Sequence, residues 1–147
     1  MIPACEELEQ LPLAIESLSK LPYRKILVVV LNQTAHASAL IDNSNRQLRE
    51  LLLKWPHQQL LDNSHHIRHP SELLDIVLLS YIEEPLLPKE GVGLARHIGM
   101  QYLCKLVDQG SLSYPFIYST DADARFAPDY LDELSSLYNE PTLEEVQ

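Results

Sequence analysis

The chain has 147 residues, enough for one domain that buries about two-thirds of the surface its unfolded form exposes, so it can fold without disulfide or metal staples. Hydrophobic residues make up 46% and charged residues 22%, ordinary globular usage that excludes wholesale disorder and fibrous repeats. Lys and Arg number 11 against 21 Asp and Glu, a net charge of −10 that excludes a broad nucleic-acid footprint and requires a metal, a helix N-terminus or a few placed cations to hold any polyanion.

Met1, Ile2 and Pro3 read as the tail of a strand whose earlier residues are absent, so one domain, incomplete at both ends, is expected over residues 1–147. Leu8, Leu11, Ala14, Ile15 and Leu18 recur at helical spacing behind Glu6, Glu7 and Glu9, whose charge suits a helix N-terminus, and predict a helix over 7–19. Ile26 to Leu31 is an apolar, β-branched run, the pattern of a strand buried on both faces of a parallel sheet. Leu40, Ile41, Leu48, Leu51, Leu52 and Trp55 then predict a helix over about 37–55, stopped by Pro56. From Pro56 to Ser71 the composition is polar, with His57, His65, His66, His69 and Pro70, and predicts a long surface connection.

The apolar stretch Leu73 to Ile82 predicts a strand near Asp75 to Tyr81, after which Pro85, Pro88 and Gly91 break the chain. Leu94, Ile98, Tyr102, Leu103, Leu106 and Val107 predict a third helix that Gly110 stops. Tyr114 to Ser119 predicts a short strand ending in Thr120, Asp121, Ala122 and Asp123, and 127–138 predicts a last helix with Pro128 in its first turn. This alternation implies an α/β fold, a mostly parallel sheet with helices on both faces, whose ligands bind beyond the carboxyl ends of the strands.

Cys5 and Cys104 fit no paired metal spacing, so neither a disulfide framework nor a zinc ribbon is expected, and a reducing cytoplasm is the simplest setting. No run approaches the roughly 18 apolar residues of a membrane span, and the N-terminus lacks the pattern of a signal peptide.

Asp121 and Asp123 lie two apart after a predicted strand, so extended backbone would project both carboxylates to one face with Cα atoms roughly 7 Å apart. That arrangement suits a hard divalent cation, Mg²⁺ or Mn²⁺, which takes one or two carboxylates plus phosphate oxygens and water. Four segments in order strengthen the reading: Ile2 to Glu7, Val28 to Asn32, Gly93 to Gly99, and Ser119 to Asp123 followed by Pro128, Asp129 and Tyr130. Together they resemble family two glycosyltransferases, in which an Ile-Pro-Ala-Tyr-Asn-Glu-like opening, a base-binding second strand, a Gly-x-x-x-Ala-Arg-Asn-x-Gly segment and a metal-binding Asp-x-Asp follow in this order.

The resemblance implies a GT-A fold, a Rossmann-like nucleotide-binding half, and a metal-dependent, inverting transfer from a nucleoside diphosphate sugar donor to an undetermined acceptor. It implies that Pro3, Ala4, Cys5 and Glu7 line the base and ribose pocket, that Asn32 and Arg96 lie near the nucleotide, and that Asp121 and Asp123 meet ribose and metal. Asn32 stands where the family has an acidic residue, Gln33, Thr34 and Ala35 replace an Asp-Gly-Ser continuation, and His97 and Glu6 each replace an Asn. The family's general base lies after the metal strand, and the catalytic base here is unassigned: Glu133, Glu140, Glu144 and Glu145 read as a solvated helix face and tail. The alternative is a non-catalytic nucleotide-binding or interaction module of the same descent.

Three weaker signals carry less. His65, His66 and His69 lack a fixed partner for zinc. Gly91, Val92 and Gly93 read as a flexible start to a helix rather than a dinucleotide loop, because Arg96 takes the third glycine position. Cys104, on an apolar helical stripe, reads as a core residue.

Overall fold

The computed structural model describes residues 1–87, 91–112 and 117–139, with no account of the side chains at 135 and 137–139. In chain order the elements are β1 (Ile2–Ala4), α1 (Gln10–Ser19), β2 (Lys25–Thr34), α2 (Ala39–Leu52), β3 (His57–Leu61), β4 (Ser64–Arg68), β5 (Leu74–Leu86), α3 (Gly91–Asp108) and α4 (Tyr130–Asn139). One five-stranded sheet has the order β1-β2-β5-β4-β3. β1, β2 and β5 run parallel, and β4 and β3 are added antiparallel at one side. The sheet is therefore mixed, with a parallel core, rather than parallel throughout.

Side-chain alternation in β2 and β5 sorts the core into two layers. Leu27, Val29 and Leu31, with Ile76 and Leu78, face Leu11 and Ile15 of α1 and Leu48 and Leu52 of α2. Val28, Val30, Val77 and Leu79 face the other way, onto Ala95 and Leu103 of α3. Each strand is wedged between helices, which is why it reads as an unbroken apolar run. Helices thus cover both faces of the sheet.

α2 starts where the Ser38 hydroxyl accepts a hydrogen bond from the Ile41 amide at 3.3 Å, satisfying a donor the helix leaves free. α3 ends before Gly110, whose φ of +69° carries the chain into a turn where the Ser111 amide bonds Leu106 O at 2.9 Å. The buried stripe of α3 is Ala95, Gly99 and Leu103. Cys104, one position past that stripe, is exposed and is no core residue.

The expected surface connection after Pro56 is also overturned. The polar stretch after Pro56 is no surface loop but the β3–β4 hairpin, turned at Asp62 and Asn63, with β4 inserted between β3 and β5. Its alternation hides His65 and Ile67, and that burial of a histidine is what a composition count reads as polarity. The expected last strand, Tyr114 to Ser119, falls only partly within the described residues. Tyr114 to Phe116 lie outside the described residues, and 117–121 form no strand. The Met1 amine donates to Tyr118 O and the Thr120 amide to Met1 O at 3.1 Å, a pattern of parallel pairing limited to one residue beside β1. Pro88, Glu140, Glu144 and Glu145 also lie outside the described residues, while Glu133 is exposed on α4.

His65 supplies a prediction. Both ring nitrogens are buried without a hydrogen-bond partner, and burial first, then Arg49 and His57, pushes its pKa below the ordinary 6.5. As pH falls below 6.5 the unfolded chain takes up a proton that folded His65 refuses, so stability falls through that window, on top of the falls from His69, also lowered chiefly by burial, and from the Met1 amine, lowered by burial from 8.0 to about 6. His65→Phe makes the loss of stability between pH 7.5 and 5.5 smaller by the share of His65 and gains about 1 to 2 kcal/mol at neutral pH by deleting an unsatisfied polar group. Urea unfolding at pH 7.5 and 5.5 measures both effects.

Candidate functional site

Parallel strands bring their carboxyl ends to one side of the sheet, and the crevice there is where open α/β sheets take ligands. At that side a cleft of about 500 Å³ is walled by Pro3, Ala4, Cys5 and Glu7 after β1, by Asn32, Gln33 and Thr34 at the end of β2, and by Gly91 and Val92 at the start of α3. Asp121, Ala122 and Asp123 complete it. The volume suits a nucleotide-sized ligand.

Of the residues expected at a nucleotide site, Pro3, Ala4, Cys5, Glu7, Asn32 and Asp121 stand in the wall, and so does Asp123. Arg96 stands one contact back, its guanidinium donating to Asp121 Oδ1. Asp121 and Asp123 do not end an extended strand. They flank a turn closed by the Ala124 amide on Asp121 O at 3.2 Å, with Ala122 buried in the core as its anchor and both carboxylates exposed. Arg125 secures the turn, donating to Asp123 O at 3.0 Å, to Ala124 O at 2.8 Å and to Gln10 Oε1 of α1 at 2.7 Å. The short pairing of Met1 with Tyr118 and Thr120 aims this segment along β1 toward the cleft.

Acidic groups dominate the electrostatics. The Glu7 carboxyl has its pKa raised by burial first and then by the charges of Asp123, Asp121 and Glu6, so the three cleft carboxylates repel one another. Cys5 has its thiol pKa raised chiefly by burial, opposed by a hydrogen bond with Asn45. Among the described residues no set of three His, Cys, Asp or Glu is close enough to cage a metal. His65 and His66 face opposite sides of β4, His66 pairing with Asp75 at 3.2 Å, while His69 packs edge-on against Trp55.

Asn45, which with Gln33 shapes the cleft floor, escaped notice in the sequence. Asn45, fully buried on α2, accepts from the Glu6 amide at 2.9 Å and donates to Asn32 O at 3.3 Å and to Gln33 Oε1 at 3.0 Å. Gln33 in turn donates to Asp42 Oδ1 at 2.8 Å and Ile82 O at 3.3 Å. Asp42 accepts from Arg46 at 2.8 Å, and Arg46 reaches Glu83 at 2.6 Å. One network therefore joins the turn after β1, the end of β2, α2 and β5. Glu6 sits at φ +63°, a left-handed conformation that costs a non-glycine residue about 1 kcal/mol and that here turns its amide onto Asn45. The sequence signal was present: Asn45 occupies the stripe of Leu48 and Leu52, and a polar residue at a core position needs partners.

Compared with protein-family models, curated proteins and solved structures, the chain has no significant match.

Proposed function

We propose that the chain binds the donor of a glycosyl transfer, holding a nucleoside diphosphate sugar in the cleft with a divalent cation on Asp121 and Asp123. One observation carries the reading. Segments more than a hundred residues apart, each bearing part of the resemblance to family two glycosyltransferases, converge on a single cleft at the carboxyl ends of parallel strands. A GT-A identity for the α/β fold is part of the same proposal.

The donor set fits Mg²⁺ or Mn²⁺ better than a caged metal. Two carboxylates on one turn leave most coordination positions to phosphate oxygens and water, as these ions prefer, whereas structural zinc requires four protein ligands. When bound, the cation would neutralise charge on the departing diphosphate. The protein's own part is positional. Pro3, Ala4 and Cys5 offer an apolar wall to base and ribose, and Asn32 offers an amide where a carboxylate would only accept. In the transfer, the acceptor hydroxyl oxygen bonds to the anomeric carbon, the bond to the diphosphate breaks, and the hydroxyl proton passes to a general base. No described residue is assigned that last role.

The Arg96–Asp121 ion pair favours a second reading, a non-catalytic nucleotide-binding module in which Asp121 answers to arginine rather than to metal. Metal dependence separates the two. A nucleoside diphosphate at a hundredfold excess over its Kd should stabilise the chain by about 2.7 kcal/mol, roughly 5 to 10 °C in Tm, with Mn²⁺ and much less without it. The shift should vanish in Asp121→Ala/Asp123→Ala, and an equal shift in that variant refutes the metal assignment. In a Cys104→Ser background, bound nucleotide should also slow alkylation of Cys5, which lines the cleft.

A further inference from the structure

Within the acidic cleft the carboxylates are not equivalent. Arg96 pairs with Asp121, whereas Asp123 and Glu7 have no ion-pair partner among the described residues. The pair is solvent-accessible, with side-chain exposures of 43% and 64%, so it exchanges readily with competing ions. The guanidinium is also incompletely satisfied where it stands: Arg96 Nε is buried and has no hydrogen-bond partner. A guanidinium presents a planar fork that matches carboxylate and phosphate alike. Its present geometry satisfies one arm of that fork and leaves another empty.

We propose that Arg96 is an exchangeable counter-ion, holding Asp121 until a divalent cation takes that carboxylate and then binding the diphosphate that accompanies the cation. The proposal rests on the metal and diphosphate reading of the cleft. A cation arriving alone must compete with the guanidinium for Asp121 and bears its repulsion, so it binds less tightly than it would to the free carboxylate. A diphosphate gives the released Arg96 a new anion. Metal and diphosphate then strengthen each other's binding, reciprocally, as coupling between two ligands demands.

The test compares the full chain with Arg96→Gln and Arg96→Lys. Free Mn²⁺ is followed by its paramagnetic resonance signal, and uridine and guanosine diphosphate are titrated at saturating Mn²⁺. The expected result is a split of opposite signs: Arg96→Gln binds Mn²⁺ alone about tenfold tighter and the better diphosphate about tenfold weaker. Arg96→Lys, which keeps the charge and loses the fork, stays near wild type for Mn²⁺ but loses diphosphate affinity. A merely structural arginine would weaken both ligands together, and that result, or no change in either, overturns the proposal. The metal reading survives such a failure if Asp121→Asn/Asp123→Asn abolishes Mn²⁺ binding. Absence of Mn²⁺ binding by both wild type and Arg96→Gln overturns the two together.

Discussion

Asn45→Leu is expected to destabilise the chain by about 3 kcal/mol and to weaken any ligand of the cleft, although leucine matches the helix stripe better than asparagine does. The side chain hydrogen-bonds the Glu6 amide, Asn32 O and Gln33 Oε1, besides its contact with Cys5. Leucine removes them all and leaves Asn32 O and Gln33 Oε1 short of a buried donor, at about 1 to 3 kcal/mol for each such group. The gain from an added apolar side chain offsets only part of this. Glu6 would also lose the bond that compensates its left-handed backbone. Asn45→Asp provides a signature that simple loss of packing cannot give. It retains an acceptor for the Glu6 amide but buries a charge, so it should be worse than wild type at pH 7 and partly recover near pH 5, where a protonated carboxyl regains a donor. Urea unfolding at both pH values measures the effect, and an Asn45→Leu variant within about 0.5 kcal/mol of wild type would show that the network is ornamental.

What the sequence disclosed followed from how strongly each element is buried. β2 and β5 lie between helices on both sides, so their central runs, Ile26 to Leu31 and Ile76 to Leu79, are unbroken and apolar and the strands announce themselves. α1, α2 and α3 fall within a few residues of their expected bounds because their stripes repeat at helical intervals. β3 and β4 were hidden for the opposite reason. β3 is an exposed edge strand, and β4 buries the polar Ser64 and His65, so neither has the composition of a core strand. The segment carrying Asp121 and Asp123 owes its place to Met1 and to Arg125, contacts across the length of the chain that no local pattern encodes. Likewise the cleft residues Pro3, Cys5 and Asn32 were named through a resemblance, whereas Asp121 was first paired with Asp123 by spacing. Asn45 and Gln33, which hold the floor, needed a different question: where a polar residue on a buried stripe finds its partners.

Gly99 should tolerate alanine and reject leucine, because two opposed terms are close in size at the first and far apart at the second. A Cβ at this position would stand 2.4 Å from Met1 Cε and 3.1 Å from Val30 Cγ2. The first neighbour is the tip of a flexible side chain and can swing aside, while the second is held in the centre of β2 and must yield by a few tenths of an ångström. Against this, alanine gains about 1 kcal/mol of helix propensity over glycine, so Gly99→Ala should lie within about 1 kcal/mol of wild type. Leucine drives three further carbons into the same gap between α3 and the sheet, where overpacking costs about 3 kcal/mol and the helix must lift. Lifting α3 moves Gly91, Val92 and Arg96, and with them one wall of the cleft and the partner of Asp121. Gly99→Leu should therefore lower Tm by roughly 6 to 12 °C and lose nucleotide binding even at temperatures where it remains folded. Should it bind as wild type does while losing stability, the position of α3 would not control the cleft, and Arg96 would have to reach Asp121 by some freedom of its own side chain.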